Sequence, residues 1–440
     1  MTRPGGPRGP RTRVLEALGA VLLVLAAAGP AMAQPTTQER LDNGLLVLVR
    51  ENPLAPVVAI TLMIEMGTRW ESPENAGISN FVHAVMVKGT TKRGGGELAE
   101  AVSALGGKIS ASGDVDYSEV RASALARFWR ELLGFTAELA LSPALSPEEV
   151  EVERDWLSSR VQKRRDSPND RAFDELYAAL YGTHPYALPI LGTEESLKRI
   201  KHPDIVQWYS RFYRPNRMKL AISGQVKASE VMAEVRRLFG AMPAGGSVAD
   251  APIPPPTPMA RRIAVEQPAQ QAQILVAGVA PRMSDRDHAA VKVLANVLGG
   301  GMAGRLFAEL RDKQALAYTA SAFYDSVREP GALILYLGTA PANVTRAEEA
   351  LRKEIERIRS EPVGADELAR AKGYLLGNYT MDRRTNGRQA WYFAFYETEG
   401  VGQKFPDQYR KAVEAVTPAD VLRVARTYLS APTVVVLRPR

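Results

Sequence analysis

Apolar positions recur with a strand-like period at residues 45–50 and 57–66, then switch to a helical period over residues 77–87. A second helix is predicted over residues 97–105, a strand over 116–124 and a further helix over 128–141. Ser146-Pro147-Glu148-Glu149 opens another helix: a serine N-cap, proline at the first position, and carboxylates against the positive end of the dipole. Those glutamates read as caps before they read as catalytic acids. The pair Pro215-Asn216 separates a helix at 206–213 from a strand at 219–223. The pattern then resumes with a strand at 272–280, helices at 288–298 and 304–313, strands at 317–324 and 332–338, and a helix at 347–360.

The second series repeats the first. Asp366-Glu367-Leu368 matches Glu148-Glu149-Val150, and Lys372, Tyr374 and Leu375 fall where Arg154, Trp156 and Leu157 stand, an offset of 218 residues. Residues 244–262, AGGSVADAPIPPPTPMARR, lack apolar periodicity and read as an extended linker. The expected fold is α+β, with two homologous domains at 34–243 and 263–440, each a mostly antiparallel sheet with helices packed on one face.

Composition narrows the chemistry. The 440 residues are 45% apolar and carry a net charge of +7 with no long basic block, which argues against a nucleic-acid-binding tail. Zero cysteines exclude disulfides, thiol nucleophiles and thiolate-bound metals, and four histidines leave little for histidine chemistry. Arg3, Arg8, Arg11 and Arg13 precede an apolar run at 18–28 that closes on Ala31-Met32-Ala33, the pattern of a cleaved signal peptide at 1–33. The run is shorter than the ~20 residues that span a bilayer, so a periplasmic or secreted protein without an integral membrane anchor is expected. Its removal lowers the net charge from +7 to +4. No G-x-S-x-G elbow and no G-x-x-x-x-G-K-[ST] loop occurs; Gly299 to Gly304 reads as a flexible loop with exposed amides.

The segment AGISNFVHAVMVKGTTKR, residues 76–93, resembles the signature helix of the insulinase/pitrilysin zinc peptidases, whose core is H-x-x-E-H. That spacing puts two imidazoles on one helix face for zinc, with the glutamate as general base for the attacking water. The five positions here are Asn80, Phe81, Val82, His83 and Ala84. By the same resemblance, Arg160 occupies the place of the third ligand, a glutamate on a later helix. A guanidinium about 5 Å from zinc at an effective dielectric of about 20 would be repelled by roughly 6 to 7 kcal/mol. No metal is therefore expected on this chain, and zinc is expected in a partner. His83 reads as an ordinary helix-face histidine, and His184, His202 and His288 are not spaced for a metal or a triad.

The likeness extends over the mature chain, through YGTHPY at 181–186, ILGTEESL at 190–197, YSRFYRPN at 209–216 and GGGMAGRLFAELRDKQALAY at 299–318. It resembles the short bacterial members and the subunits of mitochondrial processing peptidase, in which two homologous domains form one clam-like half. The resemblance implies that Arg311 and Tyr318 match a pair that holds the substrate carbonyl opposite the zinc, donating hydrogen bonds to a developing oxyanion. On the residues alone, Arg311 could equally serve the carbonyls ending its own helix and Tyr318 could pack on the core. A chain with a dead zinc half-site and a surviving Arg/Tyr half-site is expected to be the non-catalytic, substrate-binding subunit of an exported heterodimeric metallopeptidase. Its partner would be a homologous subunit with an intact H-x-x-E-H. The alternatives are a structural or peptide-binding pseudoprotease scaffold, and an enzyme using another metal site.

Overall fold

Two sheets carry the chain, and they repeat one topology. The first contains β1 (Thr36–Arg40), β2 (Leu46–Glu51), β3 (Val57–Ile64), β4 (Lys108–Gly113), β5 (Ser118–Leu125) and β6 (Met218–Gly224), in the order β1-β2-β6-β3-β5-β4. The second contains β7 (Arg261–Gln267), β8 (Ala272–Val279), β9 (Thr319–Tyr324), β10 (Ala332–Thr339) and β11 (Thr433–Pro439), in the order β7-β11-β8-β10-β9. Each sheet contains a parallel pair, β2 with β6 and β7 with β11. The pairs around β3 and β8 are antiparallel in both. Setting β1 aside, the two orders correspond strand for strand, so the duplication read from the helices is present in the sheets. These statements concern residues 36–246, 250 and 252–440 of a computed structural model; the predicted leader lies outside the described residues.

Helices α1 (Ile78–Met86) and α2 (Gly95–Ala104) join β3 to β4. Between β5 and β6 run α3 (Trp129–Leu141), α4 (Pro147–Asp166), α5 (Pro168–Tyr181), α6 (Glu194–Arg199) and α7 (His202–Phe212), and α8 (Ala228–Phe239) follows β6. The second series has α9 (His288–Gly299) and a π-helical stretch, Leu306–Lys313, between β8 and β9. From β10 to β11 the chain passes through α10 (Val344–Ser360), α11 (Ala365–Asp382), α12 (Asn386–Thr398), α13 (Phe405–Ala415) and α14 (Pro418–Tyr428).

One face of the first sheet packs through Val47, Val49, Ile60 and Leu62 against its own helices, including Val85 of α1, Leu132 of α3 and Phe212 of α7. The other face is covered by a helix from the second half: Leu46, Leu48, Ala59 and Met63 meet Ala390 and Ala394 of α12. The exchange is reciprocal, since Ala172, Leu176 and Leu180 of α5 cover Leu275, Ala277, Ile334 and Val435 of the second sheet. A strand buried on both faces needs apolar side chains at successive positions. This is why β3 reads VVAITLMI and not as an alternating strand. Each sheet thus has its own helices on one face and one borrowed helix on the other. The predicted linker ends in structure, for β7 begins at Arg261 where parallel pairing with β11 starts.

Candidate functional site

Helix α1 is fixed at its start by backbone and charge together. Gly77 is left-handed (φ +87), and a Cβ there would stand 2.6 Å from the Cα of Gly192, itself left-handed at φ +77. Only glycines let the loop before α6 come this close. The buried Glu71 carboxylate accepts the amides of Gly77 at 2.7 Å and Ser79 at 2.9 Å, satisfying orphan donors at the positive end of the helix. Burial outweighs those hydrogen bonds and raises the Glu71 pKa to about 7. Glu71 lies outside the α1 motif, and neither spacing nor composition singles it out.

The structure corrects the reading of His83 as an ordinary helix-face residue: the side chain is wholly buried. Its Nδ1 donates to the Ser79 carbonyl at 2.7 Å, which leaves Nε2 of the neutral ring to accept from the Tyr213 hydroxyl at 2.8 Å. Burial depresses its pKa to about 4. Both ring nitrogens are therefore spent, one on α1 and one on the residue that caps α7. Asn80 is half-buried, and its Nδ2 has no partner among the described residues. Ala84 packs against the core.

Helix α4 begins as its sequence predicts, with Ser146 Oγ accepting from Glu149 N at 3.3 Å. It is fastened to the α1 region by a 2.6 Å ion pair between the buried Glu153 and Lys88. The Arg154 guanidinium lies 5.4 Å from the Phe81 ring centre. Arg160 is exposed, its guanidinium 4.7 Å from the ring centre of Trp156 on the same helix. Solvent screens the exposed Arg160 guanidinium, so the missing donors weigh more against zinc than the repulsion expected from the sequence. Asn80, His83, Ala84 and Arg160 do not fit zinc, because one is an amide, one has both nitrogens engaged, one has no donor and one is a cation. Among the described residues, no three His, Asp or Glu side chains converge as a metal cage.

The second constellation is on the surface. Leu306 and Leu310 anchor the π-helical stretch in the core, while Arg311 is exposed with its guanidinium 4.7 Å from the Phe307 ring centre. The chain then turns through Ala315, left-handed at φ +53, and the Leu316 amide donates to the Leu310 carbonyl at 2.8 Å. Tyr318 follows, tied to β10 by its amide (2.8 Å to Gly338 O) but with its side chain 58% exposed. It is not the core aromatic that the residue type alone allowed. The preceding glycines are packed and do not form the free loop expected: a Cβ at Gly299 would stand 1.9 Å from the Ala322 amide nitrogen of β9.

Comparison with known proteins places the fold in a family. A family profile described as Insulinase (Peptidase family M16) matches residues 46–194, and one described as Peptidase M16 inactive domain matches residues 199–375. The chain is 26% identical to a Bacillus subtilis protein named uncharacterized zinc protease YmxG, over 79% of this chain and 85% of that one. It is also 26% identical to the Mycobacterium tuberculosis uncharacterized zinc protease Rv2782c, over 92% of this chain and 93% of that one. In fold it is similar to a peptidase M16 inactive domain from Pseudomonas fluorescens, with TM-score 0.83, 20% identity, and 92% and 98% of the two chains covered. A Helicobacter pylori protease is similar too, with TM-score 0.85, 21% identity, and 92% and 100% covered. The chain belongs to the insulinase (M16) peptidase family, of the short bacterial type.

Proposed function

We propose that this protein is the non-catalytic, substrate-binding subunit of an exported heterodimeric zinc metallopeptidase. In this reading a homologous partner with an intact H-x-x-E-H holds the zinc, and Arg311 and Tyr318 act in trans on the peptide carbonyl. The observation that carries the reading is a contrast between the two constellations. At the zinc-motif positions the chain has closed His83 into the core, while Arg311 in the π-helical stretch and Tyr318 just before β9 remain exposed. Burial of His83 stabilises the fold and forgoes metal chemistry. An exposed phenol and guanidinium add little to stability and remain free to donate hydrogen bonds.

The test is co-expression with an exported homologue that carries H-x-x-E-H, followed by peptide hydrolysis assays on the purified pair. Removing one oxyanion donor costs on the order of 10²- to 10³-fold in kcat. Arg311→Ala and Tyr318→Phe are each expected to lower kcat by such a factor while the pair still co-purifies. Undiminished hydrolysis by both variants would favour a scaffold. One zinc per chain together with hydrolysis by this protein alone would defeat the proposal.

A further inference from the structure

A cavity of about 630 Å³ lies between α5, α12 and the turns that follow β4 and β9. Asp114, Asp116, Asp325 and Glu399 line it, interleaved with the rings of Tyr117 and Trp391. Three of these carboxylates are met only by neutral donors. Asp116 accepts from the Tyr186 hydroxyl at 2.5 Å and the Arg328 amide at 3.0 Å, Asp325 from the Tyr177 hydroxyl at 2.8 Å, and Asp114 from the Tyr117 hydroxyl at 3.2 Å.

Glu399 differs from them. It closes α12, is 5% exposed, and among the described residues neither carboxylate oxygen has a hydrogen-bond partner. None of the cations nearby donates a hydrogen bond to Glu399: Arg164 on the lining binds Asp174, Arg69 is paired with Glu329 and Lys292 donates to the Tyr324 carbonyl, while Arg328, 3.8 Å from Glu65, acts on Glu399 through its field alone, as Arg69 does. Burial pushes Asp116 up to about 6 and raises Glu399 well above the usual carboxylate range. A buried carboxylate with no partner is costly, and that cost falls when a cation enters. Aromatic walls reinforce the preference, because a ring face attracts a desolvated ammonium or guanidinium.

We infer that this cavity is a binding site for a small organic cation bearing a primary ammonium or guanidinium group, ion-paired to Glu399 and Asp116 and walled by Tyr117 and Trp391. The volume lies within the usual range for small-ligand sites and exceeds what a bare metal ion fills. Among the described residues, no metal cage forms here. Neither the α1 positions Asn80, His83 and Ala84 nor Arg311 and Tyr318 line the cavity, so it stands whether or not the subunit reading does.

Isothermal titration calorimetry of the purified protein at pH 8 tests it. The probes are butylguanidinium, its neutral isostere butylurea, and the amidated tripeptide Gly-Arg-Gly. Butylguanidinium is expected to bind one to one with a Kd below about 1 mM and at least ~10-fold more tightly than butylurea, a preference that Glu399→Gln reduces by ~10-fold or more. Binding of butylguanidinium assigns the site to free small cations of the guanidinium type, and binding of the tripeptide alone assigns it to a basic side chain of a peptide; either supports the site. No heat from either cation, equal binding of butylurea, or an unchanged Kd in Glu399→Gln overturns it. Asp116→Asn, which keeps an oxygen to accept from Tyr186, makes the same comparison if Glu399→Gln does not fold.

Discussion

His83 and Tyr213 meet at 2.8 Å inside the core, the phenol that caps α7 donating to the imidazole of α1. The contact needs a neutral ring, because Nδ1 already donates to Ser79. The folded pKa, about 4, is depressed below the ordinary 6.5. A depressed pKa contributes stability that is complete above 6.5 and is lost as pH falls toward 4. Between pH 7 and pH 5 the loss is about 2 kcal/mol. Urea unfolding at the two pH values is expected to show the wild type losing that much more than His83→Gln, which has no titrating ring. Tyr213→Phe is expected to cost about 1 to 3 kcal/mol at pH 7, since Nε2 is left buried without a donor.

Glu71 carries the opposite slope. Burial raises its pKa from 4.5 to about 7, so the folded state binds the proton more tightly than the unfolded chain. Its penalty grows as pH rises through the interval from 4.5 to 7. Going from pH 5 to pH 8, the wild type is expected to lose about 2 to 3 kcal/mol relative to Glu71→Gln, read as the difference between two urea curves. Gln keeps one acceptor for Gly77 or Ser79, so a constant offset between the proteins is expected as well. The pH-dependent part reports the carboxyl. Equal slopes would show that Glu71 is not protonated in the folded protein at pH 5.

The sequence showed clearly what local physics decides. Ser146 capping α4 and the long apolar run of β3 follow from a hydroxyl beside a helix start and from burial on both faces, each visible in a few neighbouring letters. Strand β4 was not legible, because KISASG has small polar residues at an edge where pairing with β5 supplies the order. The exchange of α5 and α12 was hidden too, since Ala172 and Ala390 look like ordinary helix residues and only the opposite sheet shows what they cover. At the site, the residue types at Asn80, Ala84 and Arg160, an amide, a methyl and a cation, were legible from the letters alone. The burial of His83 was not, because its partner Tyr213 lies 130 positions away. Glu399 carried no signal at all: its consequence arises from Asp114 and Asp116, which another part of the chain brings near.

Asn386 shows how the borrowed helix is held. It sits at the start of α12, donates from Nδ2 to the Val57 carbonyl at 3.1 Å, and accepts on Oδ1 from Asn52 at 2.7 Å and Ser223 at 3.3 Å. Those three partners all belong to the first sheet region. Asn386→Ala is expected to cost about 2 to 3 kcal/mol, because buried polar groups on both sides lose their partners. With a helix exchanged in each direction, the halves are expected to unfold together. Far-ultraviolet circular dichroism and tryptophan fluorescence should then give coincident urea transitions in the wild type. Separate transitions would mean that the exchange does not couple the halves.

Arg69 and Glu329 form a buried ion pair between the two halves, and Arg282 adds a second donor to Glu329 at 3.0 Å. Removing one member of such a pair leaves the other desolvated and costs about 3 to 5 kcal/mol in a fully isolated site. Here each survivor keeps a neighbour. Glu329 retains Arg282, and Arg69 retains the field of Asp116, which acts to raise its pKa. Arg69→Met and Glu329→Gln are therefore each expected to fall at or below the lower end, about 2 to 3 kcal/mol. The double variant should cost clearly less than the sum, because removing the second charge also removes the penalty left by the first. A double-mutant cycle by urea unfolding checks this: strict additivity would mean that the two side chains are not coupled, and that the halves are held by the exchanged helices without help from this pair.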